Sequence, residues 1–483
     1  MNILGIIAEF NPLHTGHAYL IHKLRREAGA AFCVVAMSGD YVQRGEPAFF
    51  SKYLRTKAAL LCGADLVLEL PLSVSTGSAE YFALGAVSLL DRLGCITHLG
   101  FGSESGDIRA FRLAGELLLA EPERFQNILR DNLKAGMNFP KARYEALSAV
   151  FGNDHASLSN AVPSDTLSLL SGHIPAKDSF LSENISDILP LLESPNNILG
   201  TEYMKALRSL HSSIVPVTTR RIGAGYHENI DVISPCTSDG KTADAASENN
   251  FSCGDSAAYT SAPMYVSASG LRRAFLSLYG TVSPDTLPLH RTKTESLLCD
   301  YVPEACRPLY LSALEQKQFV TFDDLFLPLY HTLQYADVDT LSRYQDVTPE
   351  FSRRLLRLFG QCSSVTELCA ALKAKNMTSA RISRALLHIL LHQTKEAIAA
   401  EKEQGLSLYA RILGFRREAK PLLSLIKKKT SVPLVSKLAD APDCLPPAAL
   451  CQLQQTIKAS ELYRAALPGS RPESEYTKPM VIL

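Results

Sequence analysis

"MNILGIIAEFNPLHTGHAYLIHKL", residues 1–24, passes within a few residues from an apolar run to a helical pattern. The run Ile3–Ile7 is continuous and apolar, as expected of a strand buried on both faces. A helix is predicted over 16–28. Between the two stand Asn11, Pro12, His14, Gly16 and His17. Asn11-Pro12 makes a rigid turn that re-aims the chain. The helix start that follows presents unpaired N–H groups and a partial positive charge, which attract phosphate. Gly16 lets backbone or ligand approach closely. His14 and His17 can donate to phosphate oxygens and stabilise charge that builds when a nucleotide α-phosphate is attacked.

Working outward, strands are predicted at 31–38, 64–71 and 95–104, with helices at 51–63, 78–94 and 107–120. Short apolar strands alternating with helices indicate an α/β fold, a Rossmann-like parallel sheet covered on both faces. Ligands of such sheets bind beyond the carboxyl ends of the strands. The histidine turn and "GFGSE" (100–104) both fall at such ends. Residues 152–190 are mixed and Ser-rich, and 228–264 read as a long polar insertion. After about residue 290 strand signals fade and helical periodicity takes over. The division expected is a domain over 1–290 and a mainly α-helical one over 291–483.

The chain has 483 residues with 49 Lys+Arg against 49 Asp+Glu, so overall charge announces no nucleic-acid partner. One segment departs from that balance. Residues 405–439 hold eight Lys/Arg and one acidic residue, with Tyr409 and Phe415 interleaved. Arg416, Arg417, Lys420, Lys427, Lys428, Lys429 and Lys437 would suit an RNA backbone, and the aromatics would stack on unpaired bases. Lys373, Lys375, Arg381 and Arg384 would extend that surface. No apolar run is long enough to span a bilayer, and "MNILGIIAEF" reads as a strand rather than a signal peptide. The eleven cysteines form no CxxC pair. Cys299/Cys306, Cys362/Cys369 and Cys444/Cys451 are spaced for one helix face and are expected to be buried thiols. A reducing cytoplasm is the expected setting. His388 and His392 lack a partner carboxylate in sequence and are read as a helix-face pair; no protein-bound metal site is expected.

"IIAEFNPLHTGH" resembles the nucleotidylyltransferase signature, roughly F-(D/N)-P-x-H-x-G-H. The second signature of that superfamily, Ser/Thr-rich and ending in a basic residue, is similar to "VSASGLRR" (266–273). "MSGDYVQRGEPAFFSKYLRTKAALLCGADLVLELP" (37–71), "FGSESGDI" (101–108), "PNNILGTEYMKAL" (195–207), "TTRRIGAGYH" (218–227) and "TSVPLVSKL" (430–438) resemble the bacterial tRNA(Met) cytidine acetate ligase family. The resemblance implies ATP-dependent activation of acetate to acetyl-adenylate. It further implies acetyl transfer to the wobble cytidine of elongator tRNA(Met), giving N(4)-acetylcytidine. By matching position, ATP would contact Ile7, Ala8, Glu9, Phe10, Asn11, Pro12, Leu13, His14, Thr15, Gly16, His17, Ala18, Tyr19 and Leu20. It would also contact Gly102, Asn196, Arg221, Ile222, Ser267 and Ser269. His14, His17 and Arg272 would carry the chemistry, with Mg2+ accompanying the triphosphate. Gln43, Arg44 and Glu46 would shape the acetate pocket or meet the RNA. Glycine in "SASG", where many adenylyltransferases carry threonine, leaves the triphosphate geometry open.

Three other readings stay open on residues alone. One is a small-molecule adenylyltransferase, another an acetate ligase acting on a protein-bound thiol. The third is a non-catalytic RNA-binding protein. The long helical extension speaks against the first, and intact His14, Gly16, His17 and Arg272 speak against the third.

Overall fold

The structure, a computed structural model, describes every residue except 122, 138, 152–187, 193, 222–265, 280–286, 375–376 and 470–473. Ile222, Lys375, the 228–264 segment and most of 152–190 lie outside the described residues. The predicted alternation is present. β1 (Asn2–Ala8), α1 (Thr15–Glu27) and β2 (Ala30–Ser38) lead to a small hairpin, β3 (Tyr41–Val42) with β4 (Glu46–Pro47). Then come α2 (Lys52–Leu61), β5 (Leu66–Leu70), α3 (Ala79–Arg92), β6 (His98–Ser103), α4 (Ile108–Ala120), α5 (Glu123–Lys134) and α6 (Phe139–Phe151). α7 (Pro195–Ser209) and β7 (Val215–Arg220) complete the alternation, and α8 (Ala268–Tyr279) follows.

Five strands run parallel in the order β5-β2-β1-β6-β7. β1 is central, and the order reverses beside it, which opens a crevice between the carboxyl ends of β1 and β6. β1 alternates between two cores. Ile3 and Ile7 join one with α3, α4 and α7. Leu4 and Ile6 join the other with α1, α2 and α8. Burial on both faces explains the unbroken apolar run. A third core, separate from the sheet, holds the helices between about 320 and 390, including α9 (Ser379–Leu390). Among the described residues no helix is long and apolar enough to cross a membrane.

Strand structure does not end at residue 290. β8 (Ala410–Phe415) pairs antiparallel with β5, and β9 (Leu434–Val435) and β10 (Val481–Ile482) pair with β8. The signal was hidden by Arg411, a charge at the second position of an otherwise apolar strand. Its guanidinium is buried and paired. Nη1 donates to Glu69 Oε2 at 2.7 Å and Nη2 to Glu475 Oε1 at 2.8 Å. Lys52 completes the cluster, donating to Glu69 Oε1 and Ser460 Oγ, both at 2.7 Å, and lying 2.6 Å from Glu475 Oε1. Asp40 and Arg464 also join it. Three cations face three anions, so the buried charge is balanced. These side chains come from the β2–β3 turn, α2, β5, β8, α11 (Pro447–Ala465, following α10, Lys420–Lys429) and the turn at Glu475.

The expected burial of the spaced cysteines holds only in part. Cys306 is buried with its sulfur 3.6 Å from that of Cys62, but Cys299, Cys444 and Cys451 are exposed. Spacing puts two residues on one helix face without saying which face turns inward.

Candidate active site

His14 is the N-cap of α1, extended in backbone, and its Nδ1 accepts from the Gly16 amide at 3.1 Å. His17 Nδ1 in turn accepts from the His14 amide at 3.4 Å. An acceptor nitrogen carries no proton, so both neutral rings hold theirs on Nε2. His14 Nε2 is buried with no hydrogen-bond partner among the described residues. Burial, then the Arg221 charge, lowers the His14 imidazole to about 3. Burial, His14 and Arg221 hold His17 well below its usual value. The pair therefore offers uncharged N–H donors at neutral pH.

The second signature meets the first. Arg272, one turn into α8, donates from Nη1 to the Asn11 carbonyl at 2.7 Å and from Nη2 to Ser269 Oγ at 3.4 Å. Ser267 caps α8, its Oγ accepting from the Gly270 amide at 3.1 Å. Asn11 also accepts at Oδ1 from the Phe49 amide at 2.7 Å, which holds the turn. Two helix N-termini, of α1 and α8, thus face one cavity of about 800 Å³ at the carboxyl ends of the sheet. Ile7, Ala8, Glu9, Phe10, Asn11, His14, Gly16, His17, Tyr19 and Leu20 line it, as do Gly102, Asn196, Arg221, Ser267, Ser269 and Arg272. Pro12, Leu13, Thr15 and Ala18 are not among its walls; Leu13 and Ala18 turn into the core instead.

At the far side of the crevice a Cβ on Gly102 would meet Leu20 and Arg221 at 3.3 and 3.4 Å, so glycine keeps that wall thin. Asn196 Nδ2 donates to Glu104 Oε1 at 2.7 Å. Glu104 also accepts from Ser194 Oγ at 3.0 Å and the Asn197 amide at 3.1 Å, capping α7 with a carboxylate from the end of β6. Gln43, Arg44 and Glu46 enter from the hairpin, and Arg381, Arg384 and Asp346 from the helical half.

Arg55 is a residue the sequence reading missed. It is fully buried, and its guanidinium donates to the carbonyls of Phe50, Glu9, Ser38 and Gly39. It thereby ties together the carboxyl ends of β1 and β2. An arginine inside "SKYLRTKAALL" gives no hint of four carbonyls far apart in sequence. Glu104, the fourth residue of "FGSES", gives no sign there that it caps a helix some 90 residues away.

The basic cluster lies elsewhere. Arg417, Lys420, Lys427, Lys428, Lys429 and Lys437 are exposed and Arg416 is half-buried, but none lines the cavity. Because β8 runs against β5, the chain leaves it at the amino end of the sheet. There the Arg416 amide donates to the carbonyl of Asp65, just before β5, and Lys429 backs onto Gly94 in the loop entering β6. Tyr409 is buried and bonded to Thr456, so its ring presents no surface for a base. His388 sits between the carbonyls of Gln345 and Thr76, and His392 bonds Tyr344.

The sequence matches the HIGH Nucleotidyl Transferase family over residues 1–239 and 254–478. It is 32% identical over 465 residues to the tRNA(Met) cytidine acetate ligase of Acetivibrio thermocellus, covering 96% of this chain and 94% of that one. The Clostridium perfringens protein of the same name is 31% identical, with 99% and 98% covered. The chain belongs to the tRNA(Met) cytidine acetate ligase family. The family likeness extends to solved structures. The Thermotoga maritima TmcAL bound with alpha-thio ATP superposes with a TM-score of 0.76 at 26% identity, covering all of both chains. Its apo form gives 0.78 at 25%. The nucleotidyltransferase-type α/β fold expected from the opening residues is the fold of this family.

Proposed function

We propose that this chain, an ATP-dependent tRNA(Met) cytidine acetate ligase, activates acetate at the α1/α8 crevice and passes the acetyl group to the wobble cytidine of elongator tRNA(Met). One observation carries the site assignment: Arg272 of the second signature bonds the Asn11 carbonyl of the first at 2.7 Å. The triphosphate lies across the two helix N-termini, where amides and dipoles face it. His14 and His17 donate from Nε2 to the α-phosphate, and Arg272 holds the β- and γ-phosphates. The adenosine lies toward Gly102, Leu20, Asn196 and Arg221. Magnesium arrives with the triphosphate as part of the substrate; among the described residues no group of three His, Cys, Asp or Glu gathers to hold a metal.

An acetate oxygen attacks the α-phosphorus and pyrophosphate departs with the electron pair of the broken P–O bond. Neutral donors suit this step, because charge grows on the phosphoryl oxygens only as the transition state forms. In the second step the cytidine N4 attacks the acetyl carbon. The carbon–oxygen bond to AMP breaks, AMP leaves with the electron pair, and N4 sheds a proton. Glu9 is the carboxylate next to the histidine turn. Burial raises its carboxyl, against the Gln43 amide and the Arg44, Arg272 and Arg55 charges. That makes it the base we assign to the proton. Arg381 and Arg384, at the cavity wall, are the nearer RNA contacts; Arg416, Arg417, Lys420 and Lys427–Lys429 form a second, distant one. A cytoplasmic setting follows from a tRNA substrate.

The test supplies labelled acetate and MgATP, with and without elongator tRNA(Met). Label in cytidine, lost in His17→Ala, supports the proposal. Acetyl-adenylate without RNA labelling would point to a thiol or small-molecule acceptor. No adenylate at all would overturn the site assignment.

A further inference from the structure

The cavity takes in more than the crevice between β1 and β6. Its walls also include a lobe formed by Phe125 and Leu129 of α5, Phe139 of α6 and Phe82 of α3. Arg143 of α6 and Glu202 of α7 also line the lobe. Arg143 Nη1 donates to Glu202 Oε1 at 2.7 Å. Arg143 Nη2 and Glu202 Oε2 are both buried without a hydrogen-bond partner among the described residues. Arg143 is 9% exposed and Glu202 3%. Lys205 Nζ forms an ion pair with Glu202 Oε2 at 3.5 Å and gives its hydrogen bond to Glu80, at 2.9 Å.

A donor and an acceptor within one ion pair, each buried and each short of a hydrogen bond, cost stability unless a ligand supplies it. Arg143 and Lys205 are matched by Glu202 and Glu80, and Glu121 adds a further carboxylate to the cavity wall. An anion such as acetate or phosphate is therefore a poor fit. A neutral planar group with adjacent acceptor and donor atoms is a good one, and aromatic walls favour a base over a peptide amide. Phe139 is 51% exposed, placing an aromatic face at the lobe's mouth.

We propose that the Arg143–Glu202 pair receives the Watson–Crick edge of an unpaired 4-aminopyrimidine base, the acetyl acceptor. This deepens the ligase reading and rests on it. The guanidinium donates to the ring nitrogen or O2, and the carboxylate accepts from one N4 hydrogen. The face of N4 stays open toward Glu9 and the adenylate. Uracil presents an oxygen where Glu202 needs a donor and is repelled. The pair thus selects the base that has an amine to acetylate.

The test is binding of fluorescent anticodon stem-loops of tRNA(Met), carrying cytidine or uridine at the wobble position, to the full chain without ATP. Wild type should prefer cytidine about tenfold, the discrimination of one good base-edge contact. Glu202→Gln, whose amide can donate to the uracil oxygen, should lose that preference. Phe139→Ala, at the exposed mouth, should weaken both stem-loops alike. Each variant is first shown to melt like wild type. A folded Glu202→Gln that keeps the cytidine preference overturns the proposal, and so does wild type without one. Acetate-dependent ATP–pyrophosphate exchange on the same wild-type preparation reports on the ligase reading separately, because the binding assay needs no catalysis.

Discussion

At the scale of single residues, the neutral imidazoles have a consequence for stability as well as chemistry. His14 titrates at about 3 when folded and near 6.5 when unfolded. Between those values the unfolded chain binds more protons, so stability falls as pH drops from about 6.5 and is unaffected above it. His14→Gln removes that penalty. In urea melts at pH 7.5 and pH 5.0, the variant should gain about 2 kcal/mol on wild type at the lower pH. No gain would mean that folded His14 protonates freely. Replacing His14 or His17 by Ala should lower acetate-dependent exchange by roughly 10²–10³, as for loss of one oxyanion donor. Both histidines were legible because they flank a glycine at a strand-to-helix turn. Arg55 was not, because its role depends on carbonyls brought together only by the sheet.

At the scale of elements, the β3–β4 hairpin carries Gln43, Arg44 and Glu46 into the cavity and its tip rests on α9. Gly45 has φ +78°, and a Cβ there would lie 2.3 Å from the Arg384 amide nitrogen. Gly45→Ala is therefore strained twice. It should lose more than about 1 kcal/mol in denaturant and raise the KM for acetate by displacing the hairpin. A variant as stable as wild type would show that the tip moves freely from α9. Among strands, β1 was legible from its unbroken apolar run. β8 was hidden because Arg411 interrupts its run, and only the buried partners Glu69 and Glu475 make a charge tolerable there.

At the scale of the molecule, that ion cluster joins the two halves of the chain. Burial alone would raise the Glu475 carboxyl, but Lys52, Arg411 and Arg464 outweigh it and hold it far below the usual range. Its stabilisation is present above about pH 4.5 and is lost as pH falls below. Glu475→Gln leaves three buried cations facing two anions and should destabilise by about 3–5 kcal/mol in urea melts at neutral pH. A change under 1 kcal/mol would show that solvent reaches the cluster. For RNA, the two basic regions separate by salt dependence. Reversing the charge of Lys427, Lys428 and Lys429 should flatten the slope of log affinity against log salt by about one unit for each phosphate no longer neutralised. An unchanged slope would remove that face from the RNA path. The basic stretch was legible as a stretch, but its place at the amino end of the sheet follows from the antiparallel direction of β8.

The pairing of β8 with β5 also sets an order of events on the ribosome. Residues 2–70 can assemble β1, β2 and β5 early in synthesis, yet the outer edge of β5 has no partner until Ala410–Phe415 emerges. At roughly 5–20 residues per second, the ~340 residues between Leu70 and Ala410 take about 17–70 s to make. Throughout that interval the nascent chain displays Leu66–Leu70, fully buried in the finished protein, as an open strand edge. It is the segment on which a chaperone would be expected to sit, and the point at which a truncated chain would aggregate.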